Sequence, residues 1–200
     1  TSSKIFNMPE NNDEKINAPP DTGRSFFQKW RIKFPSAYDN LIFWTIGIVG
    51  FLADIFTKKI AFERIRPGQS IPVIEGFFNF VRVVNDGAAF GSLAGKTNYL
   101  IAVSCIAAVI VIGIFLFGGI KHKIVVVALG FFIAGVLGNL YDRLFNDGLV
   151  RDFIDIIYWP GRHWPAFNIA DSMLCIGVGI MIISAWITER PCQKHAQEHK

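Results

Sequence analysis

The chain has 200 residues, 52% of them hydrophobic, and its mean hydropathy is +0.37. This composition excludes an ordinary soluble domain and indicates a membrane protein. The net charge of +4 fits cytoplasmic loops that face anionic lipid better than it fits nucleic-acid binding. The three cysteines have no CxxC or His/Cys ligand spacing, so neither a disulfide framework nor a metal site is predicted.

Residues 1–38 are predicted to form a cytoplasmic tail. Residues 1–23 are polar, which predicts disorder, and they lack the apolar core of a cleavable signal peptide. Residues 24–34 are basic, with aromatic side chains at 27, 30 and 34. They fit either a short interfacial helix or a basic membrane flank, and Pro35 ends the segment.

Apolar stretches at 41–62, 99–117, 124–140 and 167–187 are each predicted to span a membrane as a helix. Residues 39–189 are therefore predicted to be an integral membrane all-α domain with four transmembrane helices, followed by a tail at 190–200. Four spans place both termini on one side. The basic loop Lys121–Lys123 assigns that side to the cytoplasm.

The loop at about 64–97 is predicted to be β-rich. Its segment Phe77–Val84 is rich in aromatic and β-branched residues, which predicts a strand, and Asn85-Asp86-Gly87 is a turn signal. In the later loop, Tyr158, Trp159 and Trp164 suit an aromatic belt at the membrane surface, and His163 is a lone interfacial histidine.

Charged residues occur near the end of the first span. Asp54 and Lys58 are four residues apart, so they share a helix face and can pair. Two interpretations stay open: a stabilising ion pair at the membrane edge, or a direct part in a functional site.

A denser polar group lies between residues 138 and 172, where one apolar stretch ends and the next begins. Asp152 lies in the loop, and Asp171 lies one turn into the fourth span, deeper than a helix cap would require. If the loop folds back, the two carboxyl groups meet and share one proton near neutral pH. Such a pair hydrolyses a peptide bond by general acid–base catalysis of water.

The same polar group supports further interpretations. Asp155 is three residues from Asp152 and is an alternative partner for Asp171. Asp142 and Arg143 are interpreted as a structural ion pair that braces the site. The asparagines are expected to satisfy backbone groups and carboxylates rather than to contact substrate.

Five motifs in this order resemble the bacterial lipoprotein signal peptidase family, the aspartic signal peptidase II, over roughly residues 41–187. They are Asp54-Ile-Phe-Thr-Lys58, Asn85-Asp-Gly-Ala-Ala-Phe90, Gly138-Asn-Leu-Tyr-Asp-Arg143, Val150-Arg-Asp-Phe153 and Phe167-Asn-Ile-Ala-Asp-Ser172. Each motif alone is weak, and together they are specific. Three features depart from the family pattern: Ile55 replaces its usual Gln, the connection from Arg143 to Asp152 is about one residue longer, and the N-terminal tail is longer.

The resemblance implies that Asp152 and Asp171 are a catalytic dyad without metal or cofactor. It implies supporting or substrate-binding roles for Asn85, Gly87, Asn139, Asp142, Arg143, Asn168 and Ala170, and Asp54 and Lys58 belong to its first motif. It further implies a small extracytoplasmic β-cradle and a diacylglyceryl-modified prolipoprotein as substrate, cut before its lipidated cysteine.

The same resemblance predicts a multi-pass protein of the bacterial cytoplasmic membrane with its active site near the extracytoplasmic face. Its expected partners are the lipidated substrate and membrane lipid, and a monomer is expected. The alternative is a small transporter or proton-relay protein that uses Asp54, Asp152 and Asp171. A relay requires polar residues along the whole spans, and the sequence concentrates them near one end.

Overall fold

The computed structural model describes residues 34–87 and 93–189 of the chain. Four described helices are long and apolar enough to cross a membrane. They are α1 (Ala37–Arg64), α2 (Thr97–Phe117), α3 (Lys123–Phe145) and α4 (Ile169–Glu189). The four predicted spans are therefore confirmed. The expected disordered tail, the interfacial segment up to residue 33 and the second tail at 190–200 lie outside the described residues.

The central helix of the bundle is α3. Within the protein, 61% of its most apolar stretch is buried, against 17–22% for the other three helices. The core around it includes Phe43 of α1 and Phe115 of α2, whose rings stack with centroids 3.9 Å apart, and Ile133 of α3. The large apolar side chains left exposed on α1, α2 and α4 suit a lipid environment.

Local polar contacts place the helix ends beyond the purely apolar stretches. At the start of α1, Ser36 and Asp39 form a reciprocal capping box, so the helix begins at Ala37 rather than at Leu41. At the other end of the bundle α3 continues to Phe145, although its apolar run stops at Leu140. The last turns of α3 therefore carry polar side chains into the site described below.

A four-stranded antiparallel sheet lies at the end of the bundle where α1 and α3 finish and α2 and α4 begin. Its strands are β1 (Ser70–Ile74), β2 (Phe78–Asn85), β3 (Val150–Trp159) and β4 (Arg162–His163), in the order β1-β2-β3-β4. The strand predicted at Phe77–Val84 is confirmed as β2. The segment that carries Asp152 was predicted to be a loop, and the structure corrects this: it is β3, the longest strand.

The sheet is attached to the bundle through β3. Phe153 of this strand is buried with Ala61 and Ile65 at the end of α1, and Ile169 of α4 packs against the same cluster. The backbone N–H groups of Phe153 and Ile154 both donate to the Phe167 carbonyl, just before α4. Residues 150–154 are consequently fixed across the ends of the helices.

Candidate active site

Asp152 lies on β3, and its side chain contacts the residue that precedes α4. The register pairs it with Val83 of β2, and its side chain is only 1% exposed. Its Oδ2 accepts a hydrogen bond from Asn85 Nδ2 at 3.1 Å, and its Oδ1 accepts one from Asn168 Nδ2 at 2.6 Å. The strand pairing and two amide donors together hold the carboxyl group in one orientation.

Asp171 lies in the first turn of α4. Its backbone N–H donates to Asn168 Oδ1 at 3.0 Å, and its Oδ2 accepts from the Asn168 N–H at 3.2 Å. These two bonds form a capping box with Asn168 as the cap. The prediction that Asp171 lies too deep for a cap was wrong, because α4 begins at Ile169 rather than at Phe167. Capping leaves Asp171 Oδ1 to accept from Asn139 Nδ2 at 2.7 Å.

Asn168 brings the two carboxyl groups together. Its side-chain amide donates to Asp152 and its backbone N–H donates to Asp171. Both acids are therefore hydrogen-bonded to the same residue. Asn139 reinforces this arrangement, because its Oδ1 accepts from Asn168 Nδ2 at 3.2 Å while its amide holds Asp171. The segment that carries Asp152 was predicted to fold back towards Asp171, and its contacts with Asn168 confirm this.

The electrostatics of Asp152 differ from those of an ordinary aspartate. Burial, followed by the neighbouring negative charge of Asp171, raises the pKa of Asp152 to about 7, although hydrogen bonds from Asn85 and Asn168 oppose the rise. A carboxyl group with this pKa carries a proton in about half of the molecules at neutral pH. It is therefore able both to donate and to accept a proton under physiological conditions.

Beneath the dyad lies a buried charge cluster centred on Lys58, whose side chain is fully buried. Its ammonium lies 2.7 Å from Asp54 and 3.4 Å from Asp142, and it donates to Asn139 Oδ1 at 3.1 Å. The predicted pairing of Asp54 with Lys58 is confirmed. The pair is part of the interior beneath the dyad rather than an isolated pair at the membrane edge.

Asp54 also joins the first helix to the last. Its Oδ1 accepts a hydrogen bond from the Ala170 N–H at 2.8 Å. This N–H is one of the donors that a helix start leaves without an intrahelical partner. Because Asp171 follows directly, the same bond fixes the backbone that carries the second acid of the dyad.

Asp142 and Arg143 brace the site through partners other than each other. Arg151 donates to Asp142 from its side chain at 2.6 Å and from its backbone N–H at 2.9 Å, which ties β3 to the end of α3. Arg143 donates to the carbonyl of Gly87 at 2.8 Å and to that of Asn139 at 3.2 Å. The expected ion pair between neighbours was therefore wrong, because adjacent helical residues point in different directions.

Asp155 is excluded as the partner of Asp171 by its position. It accepts a hydrogen bond from Asn79 Nδ2 at 2.9 Å and lies 2.8 Å from His163 Nδ1. Asp155 and Asp152 are an odd number of positions apart on β3, so their side chains point to opposite faces of the sheet. The description of His163 as a lone histidine was also wrong, because Asp155 binds its ring.

Comparisons with known proteins bear on this arrangement. Residues 46–187 match the family model described as Signal peptidase (SPase) II. The chain belongs to the signal peptidase II family. The lipoprotein signal peptidase of Syntrophus aciditrophicus is 41% identical over 148 residues, covering 70% of this chain and 88% of that protein. The lipoprotein signal peptidase of a Sulfurihydrogenibium species is also 41% identical over 148 residues, covering 71% of this chain and 89% of that protein.

Two solved structures share the fold of this chain. A bacterial membrane enzyme determined by the in meso method superposes with a TM-score of 0.71 at 32% identity, covering 80% of this chain and 94% of the other. A second bacterial membrane enzyme superposes with a TM-score of 0.65 at 34% identity, covering 76% and 95%. As a member of the signal peptidase II family, the chain is a membrane-embedded aspartic peptidase, and the family resemblance seen in its motifs is confirmed.

Close packing of α3 in this signal peptidase II depends on glycine. A Cβ added at Gly138 would lie 2.5 Å from Asp54 Oδ2 and 3.0 Å from the Ala170 side chain. Real Cβ atoms do not approach a buried carboxylate this closely, so Asp54 would have to move. Small residues let membrane helices approach in this way. Here the approach brings α3 against both the charge cluster and the start of α4.

We expect Gly138→Ala to lower the thermal stability and the peptidase activity together. The added methyl displaces Asp54 from Lys58 and from the Ala170 N–H, and overpacking of a tight core costs about 1–3 kcal/mol. The measurement is thermal unfolding in detergent beside a turnover assay. Gly113→Ala is the matched control, because a Cβ there meets nothing within 4 Å. A Gly138→Ala protein as stable and active as the Gly113→Ala protein would contradict this account of the packing.

Proposed function

We propose that this chain is an aspartic endopeptidase that removes signal peptides from diacylglyceryl-modified prolipoproteins and cuts before the lipidated cysteine. Asp152 and Asp171 are the catalytic dyad of this proposal. The observation that carries it is the pairing of two acids around Asn168 at the end of a membrane bundle. Family membership supports the substrate class, because the curated relatives are named lipoprotein signal peptidases.

The charge balance of the site supports a shared proton. Among the described residues, four carboxylates and three cations belong to the connected site. The carboxylates are Asp54, Asp142, Asp152 and Asp171, and the cations are Lys58, Arg143 and Arg151. A single proton on the dyad makes this mostly buried group electrically neutral. If both acids of the dyad were ionised, one negative charge would have no compensating cation, and burying an uncompensated charge costs free energy.

The proposed reaction assigns one step to each acid. Asp152 holds the proton and Asp171 is ionised. Asp171 takes a proton from a water molecule as the water oxygen attacks the carbonyl carbon, and Asp152 gives its proton to the carbonyl oxygen. The resulting gem-diol collapses when one hydroxyl proton returns to Asp152, Asp171 protonates the nitrogen, and the carbon–nitrogen bond breaks. The dyad is then in its starting protonation state.

Asn85, Asn139 and Asn168 serve as positioning residues in this proposal. Their amides donate to the acids and keep them at fixed orientations, so no reorganisation is needed during the reaction. Arg143 holds the Gly87 carbonyl and thereby the end of β2 beside Asp152. These positioning residues are supported from within the bundle by Asp142, Lys58, Asp54 and the N–H of Ala170.

The position of the site suits a substrate that arrives within the membrane. The dyad lies at one end of the bundle, next to the sheet, and the basic loop Lys121–Lys123 lies at the other end. The bias of basic loops towards the cytoplasm assigns the dyad to the extracytoplasmic side of a bacterial cytoplasmic membrane, with both termini cytoplasmic. A signal helix and its diacylglycerol reach the dyad by lateral movement between helices, and the enzyme acts as a monomer.

A proton-relay transporter is disfavoured by the distribution of buried polar groups. Among the described residues of the spans, these groups concentrate near the dyad, while Asp39 and Ser184 lie near the opposite end. The middle of the bundle between these two ends is apolar. A continuous relay across the membrane would need polar side chains throughout that middle part.

We expect turnover to fall as the pH rises through about 7, because the pKa of Asp152 is raised to about 7 and the general acid loses its proton above that value. The measurement is kcat/KM against pH in detergent or bilayer. Asn85→Ala removes a hydrogen bond that favours the ionised form of Asp152, so its alkaline limb moves to higher pH. An alkaline limb that is absent in both proteins would contradict the assignment of Asp152 as the acid.

The substrate is tested with a diacylated prolipoprotein and the same precursor without lipid. Mass spectrometry of the products is expected to show one cut, with the lipidated cysteine at the new N-terminus. The unlipidated precursor is expected to remain largely intact. Equal cleavage of both precursors, or a cut elsewhere, would contradict the proposed specificity.

A further inference from the structure

A cavity of about 250 Å³ lies at the end of the bundle opposite the dyad, between the start of α1 and the connection from α2 to α3. Phe115 and Val126, each only 2% exposed, form part of its wall. Polar side chains of Ser36, Asp39 and Lys121 also line it. The peptidase reaction proposed above uses none of these residues, so the cavity needs a separate explanation.

The charges that line the cavity do not cancel. Asp39 is already neutralised, because its Oδ1 accepts from the Lys123 ammonium and its Oδ2 accepts from the Ser36 hydroxyl at 2.6 Å. Lys121 is exposed, and its ammonium has no carboxylate partner among the described residues. The cavity therefore carries one positive charge in excess, and this charge favours an anionic ligand.

Backbone donors in the same wall suit an anion as well. At the end of α2, Gly118 has a φ of −75° and a ψ of −5°, and the next residue, Gly119, has a φ of 58°. An αR residue followed by one at positive φ is the pattern of a backbone nest, whose N–H groups bind anions. Within the described chain, the N–H groups of Gly119 and Ile120 have no hydrogen-bond acceptor. Both residues line the cavity beside Lys121, and residues 119–121 are called the anion seat.

An apolar surface borders the anion seat. Phe34 lines the cavity and packs edge-on against Phe117, with ring centroids 6.1 Å apart. The two rings, called the aromatic ledge, are nevertheless 70% and 57% exposed. Phe117 is the last residue of a membrane-spanning helix, so the ledge lies where lipid headgroups meet acyl chains. A small anion from water would leave the ledge bare, whereas the chains of a lipid cover it.

We propose that this cavity binds the headgroup phosphate of an anionic phospholipid from the leaflet at this end of the bundle. The phosphate lies in the anion seat, where the Lys121 ammonium and the free N–H groups of Gly119 and Ile120 donate to it. The acyl chains lie on the aromatic ledge. A zwitterionic headgroup adds a positive charge that finds no free carboxylate in the cavity, because Asp39 is already paired. Anionic lipid is therefore preferred.

The bound lipid connects three helices. The cavity is lined by Asp39 of α1, Phe115 of α2 and Val126 of α3, so a lipid held there contacts all three elements at once. A ligand that binds only the folded state stabilises it by mass action. We therefore expect added phosphatidylglycerol to raise the unfolding temperature of the full chain in detergent. The cavity is far from the dyad, so this site is tested independently of the proposed function.

Lipid preference is measured by native mass spectrometry of the full chain, offered equal amounts of phosphatidylglycerol and phosphatidylethanolamine. We expect one phosphatidylglycerol to be retained in preference, and Lys121→Gln to weaken its binding several-fold. Lys59→Gln is the matched control, because it removes an exposed lysine near the other end of the bundle. Equal retention of the two lipids by the native protein, or equal binding by the two lysine variants, would overturn the proposal.

A second variant separates a built site from the general attraction of a basic loop. Gly119→Ala keeps every charge, and its Cβ meets nothing within 4 Å, but alanine disfavours the positive φ on which the nest depends. We expect it to weaken phosphatidylglycerol binding several-fold. Gly68→Ala, at a φ of 75° with equally open surroundings, is the control and leaves binding unchanged. Equal binding by the two alanine variants would replace the site with diffuse charge attraction.

The position of the lipid is tested with phosphatidylglycerol that carries a photoreactive diazirine near the start of one acyl chain. Adducts are expected on the aromatic ledge, Phe34 and Phe117, and excess inorganic phosphate is expected to leave their yield unchanged. Adducts confined to the chain before residue 34 or to other lipid-facing helices would place the lipid elsewhere. Loss of the adducts in phosphate alone would show that the seat takes a free anion, and either result would overturn the proposal.

Discussion

Asp152→Asn and Asp171→Asn are each expected to lower the rate of prolipoprotein cleavage by about two to four orders of magnitude, the usual contribution of general acid–base catalysis. The amide keeps the shape of each side chain, so the fold is retained. It cannot hold or release the shared proton, so neither water activation nor protonation of the carbonyl oxygen proceeds. The measurement is the cleavage rate of a diacylated precursor, with the yield of folded protein from membranes as the check on structure.

Asp155→Asn is the matched control for these two variants. Asp155 lies on the same strand, is similarly buried, and binds Asn79 and His163 away from the dyad. We expect this variant to lose some stability and to keep turnover within a few-fold of the native protein. Turnover retained in either dyad variant, or abolished in Asp155→Asn alone, would assign catalysis to a different carboxyl group.

Lys58→Met is expected to destabilise the protein by about 3–5 kcal/mol, because removing one partner of a buried ion cluster leaves its charges uncompensated. Asp54 and Asp142 then remain buried without the Lys58 ammonium that lies between them. Asn139 Oδ1 also loses the hydrogen bond that this ammonium donates. Turnover falls as well, since Asn139 positions Asp171. The measurement is unfolding in mild detergent, followed by fluorescence or by thiol accessibility.

The neighbouring lysine provides the control. Lys59 is 67% exposed and its only described ion pair, with Glu63, spans 3.9 Å. Lys59→Met is expected to change the free energy of unfolding by less than about 0.5 kcal/mol. If the two methionine variants unfold alike, the buried cluster does not hold the bundle together.

The sequence predicts the membrane bundle well, because the signal for a span is a long apolar run and depends little on the rest of the fold. The pairing of Asp54 with Lys58 was predictable for a similar reason, since residues four apart on a helix lie next to each other on the same face. The ends of the helices were harder to predict from the sequence. The start of α4 depends on the cap made by Asn168 and Asp171, and the end of α3 on polar contacts with other elements.

The strand β3 could not be recognised from local pattern alone. Its charged residues Arg151, Asp152 and Asp155 interrupt the apolar alternation, and each forms a hydrogen bond with a residue outside the strand. Arg151 was consequently missed as a bracing residue. Its contact with Asp142 follows from the crossing of β3 over the end of α3, which spacing in the sequence does not specify.

The central claim is that Asp152 and Asp171 share one proton, and titration of carbon-13-labelled aspartate by NMR tests it most directly. The account predicts that Asp152 titrates near pH 7 in the native protein. In Asp171→Asn its pKa falls, because the neighbouring negative charge is gone, and in Asp155→Asn it stays where it was. An Asp152 that titrates like an ordinary aspartate, or one that Asp171→Asn leaves unmoved, would contradict the claim.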